Sequence, residues 1–532
     1  MNEKTPQKVV APRRRFFPWW WLAAVVAILV GVPILAHFYS ISDAFAPPLI
    51  ISKETTYITE PLTPEGLPDY AAWLNRHLSQ GVTPENNAVV LLLKALGPRP
   101  DGFALPAWVY RRLGMRPLEE QGEYFVSVPQ ALQERFQRQP QKLEAWSEVA
   151  KQLRQRPWRR QEAPLLVQIL EDEANRRPLE LVRRASLRPR FFMPVIAQPA
   201  HSLIEADLAF QQSLRGVIND LALRAMLHLG HGRVEEAWLD LMTVKRLGRL
   251  LQQDGFLVPV LIGYAAEKTA TQAALLLLTR TQTDEATARA WLEQWRQLPP
   301  AADLAEVLQW GERFLGLGVV LDLRRISPSQ RKDLQYSFKL WSPLSSLDVN
   351  LMLRRFNQHY DRLVQLTRGD PLVRLRNEFS AWETEAEHMI HHPLRQAAAL
   401  LNRTVRSELV VRQLALLFTS GIPRIKEKEL EIRQYHLLVE TGLALAVYRA
   451  RCGRYPERLE ELVPELLPRV PVDLFAPGQT LIYRREGEGY VLYSVGRNGV
   501  DDRGRPSSLK AQDDLGLRIL PRSDQRLPLV AP

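Results

Sequence analysis

The stretch EAEHMIHHP sets Glu387, His388, His391 and His392 within six residues. Residues three and four apart share one face of a helix, so imidazoles at 388, 391 and 392 would converge on a single metal ion. A tetrahedral site still needs a fourth ligand or a water, the zincin order H-E-x-x-H is absent, and Pro393 ends the helix at once. The plainer reading is a group of surface histidines at a helix C-terminus, where the dipole favours cations. A second concentration of chemistry is arginine: RQRPWRRQ and RRASLRPRFFMP lie between Arg154 and Pro194, interrupted by Glu162, Glu171, Asp172, Glu173 and Glu180. Such mixed charge reads as a solvated face or an ion-pair network, with an anionic lipid or another envelope polyanion as the alternative contact. A third is the loop in GYVLYSVGRNGVDDRG, Gly489 to Gly504, where a strand runs into Gly, Asn and Asp.

No Walker loop, dinucleotide-binding glycine fingerprint or nucleophile elbow occurs. The single cysteine, Cys452, excludes an intramolecular disulfide and any multi-cysteine zinc site. Across 532 residues, 46% are hydrophobic and 24% charged, an ordinary globular composition long enough for two or three domains. The net charge of +11 is the small difference between 70 basic and 59 acidic residues spread along the chain. It does not by itself call for a polyanionic partner.

The elements that must position these groups begin with an anchor. Phe16 to Tyr39 contains no Asp, Glu, Lys or Arg and is long enough, as a helix, to cross a hydrocarbon core of roughly 30 Å. Trp19, Trp20 and Trp21 stand at one end and His37, Phe38 and Tyr39 at the other, where interfacial aromatics belong. Lys4, Lys8, Arg13, Arg14 and Arg15 precede it against Glu3 alone, so the positive-inside rule predicts a cytoplasmic N-terminus and a periplasmic bulk. That topology removes the arginine-rich region from nucleic acid. Ala44-Phe45-Ala46 has the form of a signal-peptide cleavage site, but Pro47 follows it, which favours an uncleaved anchor.

Beyond a linker with Pro47 and Pro48, helices are expected throughout. Thr83 predicts an N-cap, with Pro84 at the first helical position, Ala88, Leu91, Leu92 and Ala95 on one face, and Gly97-Pro98 as the stop. Leu214, Val217, Ile218, Leu221 and Ala225 form one helical face, and Val234, Ala237, Trp238, Leu241 and Val244 a second. The intervening GHGR makes the pair an αα-hairpin. LGHGRVEEAWLDL is similar to half of a tetratricopeptide repeat, but no second copy follows, so an irregular helical domain is expected rather than a solenoid. GVTPENNAVVLLLKALGP and QGEYF resemble phrases of uncharacterised membrane-anchored bacterial proteins, a resemblance that implies no activity. A break at Gly421-Ile422-Pro423 sets the expected organisation: 1–48 tail, anchor and linker, 49–423 helical domain, 424–532 a small α+β module.

In that last part a long helix ends at Cys452-Gly453, and TLIYRREGEGYVLYSVG reads as a hairpin in which Leu481 and Tyr483 alternate on one strand and Val491 and Tyr493 on the other. ALAVYRARCGRYPERLEELV, YVLYSVGRNGVDD and the closing DDLGLRI resemble the globular part of the major pseudopilin of type II secretion systems. The resemblance implies a calcium-binding final loop, with oxygen ligands from Asn498, Asp501, Asp502, Asp513 and Asp514. Arg497, Arg503, Arg505 and Lys510 interleave with those aspartates, so a solvent-exposed acidic turn is the other reading. A pseudopilin runs from one helix directly into its globular unit; here several hundred residues intervene, and the module reads as borrowed. No other cofactor is expected. The leading expectation is thus a single-span protein of the inner membrane serving as a periplasmic scaffold for an envelope partner, linked to secretion. The rival is a membrane-tethered hydrolase with its site in the helical domain, the His388 cluster being one candidate for it.

Overall fold

Polar caps and long apolar faces build a helical body. The computed structural model describes residues 47–102, 104–197, 203, 208–325, 346–369, 372–504 and 514–519. Its first helices are α1 (Tyr70–Leu78), α2 (Ala88–Leu96), α3 (Ala107–Arg112), α4 (Val128–Arg135), α5 (Pro140–Leu153), α6 (Pro164–Leu170) and α7 (Glu173–Ser186). Longer ones follow: α8 (Ala209–Gly230), α9 (Val234–Leu251), α10 (Leu257–Arg280) and α11 (Glu285–Arg296). Short α12 (Leu304–Val307) and α13 (Arg313–Asp322) flank a π-turn, and then come α14 (Val349–Gly369), α15 (Leu372–His391), α16 (Pro393–Leu401), α17 (Arg403–Thr419) and α18 (Ile422–Cys452). Strands β1 (Ile482–Glu486), β2 (Gly489–Ser494) and β3 (Leu515–Ile519) form one antiparallel sheet in that order. The fold is mainly α with one small sheet, as the periodicity predicts. Among the described residues no helix is long and apolar enough to cross a membrane. The expected span, Phe16–Tyr39, lies outside them.

Helix α2 starts later than expected. Thr83 and Asn86 spend their side chains on a local turn, Thr83 N–H donating to Asn86 Oδ1 at 2.8 Å and Asn86 N–H to Thr83 Oγ1 at 3.3 Å. Asn87 is the N-cap instead, accepting from Val89 N–H. The same amide pairs with both backbone groups of Phe192 at 2.8 and 3.0 Å, so tertiary contact decides which residue caps. Gly97, at φ 89°, ends the helix, and a Cβ there would stand 2.8 Å from the Tyr124 ring. Phe125 N–H donates to Ala95 O at 2.8 Å. The two phrases GVTPENNAVVLLLKALGP and QGEYF therefore pack on one another.

The hairpin is present as predicted: both apolar faces are buried, apart from half-buried Val234, and the turn uses Gly232 at φ 73°. Helices α9 and α10 meet glycine to glycine. A Cβ on Gly248 would lie 2.8 Å from the Gly263 carbonyl oxygen, and one on Gly263 would lie 2.5 Å from that of Gly248. This close approach buries Glu267 between Lys245 (2.6 Å) and Arg249 (2.8 Å). Gln252 donates to the same carboxylate, and Lys245 also donates to Thr271 Oγ1 at 3.0 Å. Burial by itself would raise the Glu267 carboxyl, but the two cations outweigh it and hold it below the usual carboxylate range. Burial pulls Lys245 down to about 8, with Glu267 opposing that shift.

A turn at Ser420-Gly421 does stand at the expected boundary, and Pro423 opens α18. The packing is not divided there. Leu438, Leu443, Leu445, Tyr490 and Leu492 belong to the same apolar core as Trp238, Leu241, Leu277 and Trp295 of the hairpin and its neighbours. Helix α18 is buried on more than the single face expected, because α10 and α11 cover one side and β2 and β3 another. Glu431 of α18 pairs with Lys268 of α10 at 2.7 Å and also with Arg497, in the loop after Ser494.

Two outcomes follow. Glu267→Gln strands two buried cations and lowers unfolding stability by about 3–5 kcal/mol, whereas Lys245→Met, which leaves Arg249 on the carboxylate, costs less; urea midpoints read both. A fragment beginning at Lys426 exposes the apolar sides of α18 and shows no cooperative melting transition by circular dichroism.

Candidate functional site

The C-terminal loop folds back over the sheet. β1 and β2 are joined through Gly487-Glu488, with positive φ at Gly487 as a two-residue hairpin of the II′ kind requires. All six residues of β2 are buried, since α18 covers one face and the loop the other. Gly504, at φ 70°, lies so close that a Cβ would come within 3.0 Å of Val491 and 3.1 Å of Tyr493. β3 was not expected from hairpin patterning, though Leu515, Leu517 and Ile519 alternate as a strand should.

The predicted oxygen donors are largely engaged by the loop itself. Asp501 Oδ1 accepts from Tyr493 O–H at 2.9 Å and from Arg503 N–H at 2.8 Å. Asn498 Oδ1 accepts from Val500 N–H at 2.8 Å, and its amide donates to Asp502 Oδ2 at 3.0 Å. Asp514 is 6% exposed; Oδ2 accepts from Gly504 N–H at 2.8 Å, while Oδ1 is buried without a hydrogen bond. Burial raises the Asp514 carboxyl, and the nearby charges of Asp502 and Asp501 add to that rise. Asp513 lies outside the described residues. Arg497 turns away to Glu427 (3.2 Å) and Glu431. Among the described residues no group of three or more His, Cys, Asp or Glu is disposed to hold a metal ion. The loop's visible chemistry is the closing of a turn over Val491 and Tyr493.

The histidine trio is divided by the end of its helix. His388 and His391 are exposed on α15, but His392 has left it and, at φ −72° and ψ 117°, precedes α16 as its N-cap. The His388 and His392 rings stand 5.8 Å apart, edge to face. The arginine-rich region is tied into pairs: Arg156–Glu162 at 2.7 Å, Arg176–Glu173 at 3.0 Å, Arg160–Glu171, and Arg188 donating to the Pro84 and Asn87 carbonyls.

A charged groove of about 420 Å³ lies between α14, α15 and α17, and no sequence motif announced it. Arg355, His359 and Arg362 recur at helical spacing along α14, Trp382 and Glu385 come from α15, and Glu408 and Arg412 from α17. Its pairs are Arg355–Glu408 at 2.8 Å, Arg412–Glu385 at 3.3 Å and Arg362–Glu378 at 2.5 Å. Arg362 also rides on the Trp382 ring, 5.2 Å from its centroid. Burial, with Arg412 and Arg362 adding to it, pushes His359 down to about 4, so the ring is neutral at pH 7. Thr419 donates its buried hydroxyl proton to Ala415 O at 2.6 Å, which leaves it an acceptor for His359 Nε2–H at 3.0 Å. This histidine braces a wall of the groove. The open part of the groove offers guanidinium, carboxylate and indole groups. Those are binding groups. The only forewarning was the one-face spacing of 355, 359 and 362.

No protein-family model, characterised protein or solved structure matches the chain.

Asp514 yields a pH-dependent outcome. Its folded-state pKa is raised, so its contribution to stability is present below the ordinary aspartate range and is lost as pH rises through the raised value. Asp514→Asn keeps an acceptor for Gly504, adds donors toward Asp501 and Asp502, and therefore raises the melting temperature at pH 7 with little gain near pH 3. A fall at pH 7 that appears only when calcium is present would instead identify Asp514 as an ion ligand.

Proposed function

We propose that this chain is a single-span envelope protein, held in the inner membrane by Phe16–Tyr39, whose periplasmic body acts as a scaffold for a protein partner. The α+β unit beyond residue 424 would be a pseudopilin-like module, linking the protein to secretion. One observation carries the scaffold reading: the groove of Arg355, Arg362, Trp382, Glu385, Glu408 and Arg412. Arginine and tryptophan are the side chains that dominate protein interfaces. Exposed pairs such as Arg355–Glu408 contribute only about 0–1 kcal/mol, so their exchange for a partner's charges costs little. The buried pairs elsewhere keep the body rigid while these exchange.

Two measurements on the full chain in its native envelope test this. Reporter fusions at Arg15 and after Pro48 give cytoplasmic and periplasmic signals respectively; a cytoplasmic signal at the second removes the anchor reading. A photo-crosslinking residue at Gln358 captures a discrete partner, and Arg362→Glu abolishes that adduct with a change in stability below about 1 kcal/mol. An adduct indifferent to Arg362→Glu leaves the groove without this role.

A further inference from the structure

Helix α16 is short, and its outer side is apolar. Leu394 is 75% exposed, Leu400 49% and Leu401 47%, with exposed Ala397 between them. Residues 394, 397 and 401 lie three and four apart and make one continuous stripe. The border is basic. From His388 to Ser407 the chain has no acidic residue, while Arg395 and Arg403 flank the stripe and His388 and His391 stand exposed on the preceding turns. Glu387 is the nearest carboxylate in sequence on the N-terminal side.

The position of α16 gives the stripe a meaning. Asn350, at the start of α14, donates to Pro48 O at 2.7 Å and accepts from Ile50 N–H at 2.9 Å, which fixes where the described chain begins. Asp348 N–H donates to Ser407 Oγ at 2.8 Å, and Arg406 donates to both Ser346 O (3.2 Å) and Ala399 O (2.7 Å). Residues 48, 346–350, 399 and 406–407 thus gather at the end where the described chain begins, and α16, which carries Ala399, is among them. Only Ser40–Pro47, eight residues, separate that end from the uncharged segment Phe16–Tyr39. Fully extended, they reach about 28 Å. An anchored chain holds this end of its body against the membrane.

We infer that α16 docks on the lipid surface, with Leu394, Leu400 and Leu401 among the acyl chains and Arg395 at anionic headgroups. The inference rests on the anchoring reading above. An interfacial helix of this kind buries its apolar side about 5–10 Å below the headgroups, deep enough to immerse the leucines. Basic border residues gain from the negative surface potential of anionic lipid. The body then has two attachments, one through the span and one through α16. Two attachments fix its orientation, where an eight-residue tether alone would let it turn.

The test uses the full chain reconstituted in phosphatidylethanolamine–phosphatidylglycerol vesicles. In a Cys452→Ser background, Ala397→Cys or Leu401→Cys carries a polarity-sensitive fluorophore; a label on native Cys452, exposed at the far end of α18, is the aqueous control. The labels on α16 shift to the blue and lose emission to doxyl-lipid quenchers, and the Cys452 label does neither. Leu394→Asp with Leu400→Asp, both at exposed positions, restores the aqueous spectrum at 401 while the chain still co-floats with vesicles. A chain that co-floats with unquenched α16 labels overturns the docking and leaves the anchor standing. Labels shielded from water yet untouched by lipid quenchers also overturn it, since protein then covers the face. A chain that does not co-float overturns the anchor reading and the docking together.

Discussion

One buried carboxylate governs how the central helices fit together. Glu267 has no water to solvate it and is ionised only because Lys245 and Arg249 meet it from the neighbouring helix. The Gly248–Gly263 contact brings the helices close enough for those distances to be short. Desolvating three charges offsets much of their attraction, so the cluster adds little net stability. Its effect is on specificity. Sliding α10 by one residue against α9 would part the carboxylate from cations that remain buried. The same cations help keep His436 of α18 neutral, and Lys245 sits 5.0 Å from the Trp295 ring of α11. Helices from four parts of the chain are thereby set by one charge.

The C-terminal unit inherits that order. Its long helix is sandwiched between the central helices and the sheet, and its core is theirs. Glu431 is buried, which would raise it, but Lys268 and Arg497 bring it below the usual carboxylate range. It ties α18 to α10 on one side and to the acidic loop on the other. The loop in turn covers Val491 and Tyr493, which a three-stranded sheet would otherwise expose. A sheet of that size gains too little from its own packing to stand without such cover.

Charge pairs in this protein divide by burial, and the division bears on role. Lys245–Glu267 is inaccessible and holds structure; Arg355–Glu408 and Arg412–Glu385 are exposed, screened and weak. Exchangeable pairs around Trp382 suit recognition, because a partner's charges replace them at small cost. The apolar stripe of α16 differs again, since leucines at 47–75% exposure gain from contact with an apolar medium rather than from charge exchange.

The sequence by itself determined the helical class, both faces of the α8–α9 hairpin, the glycine stops at 97 and 453, and the β1–β2 hairpin. Each follows from periodicity or from a residue whose backbone preference acts locally. It determined equally that Phe16–Tyr39 is uncharged, although those residues lie outside the described structure. Tertiary structure decided the rest. Asn87 displaced Thr83 as the cap because Phe192, distant in sequence, supplied two backbone partners. His392 lies outside the helix of His388 and His391 because Pro393 begins a new one, although its ring stays 5.8 Å from that of His388. Glu267, which reads in the sequence as an interruption of an apolar run, proved to be the centre of a buried ion cluster once α9 brought its cations. The groove escaped notice because its residues come from three helices, and no spacing within one segment records which helices will be neighbours.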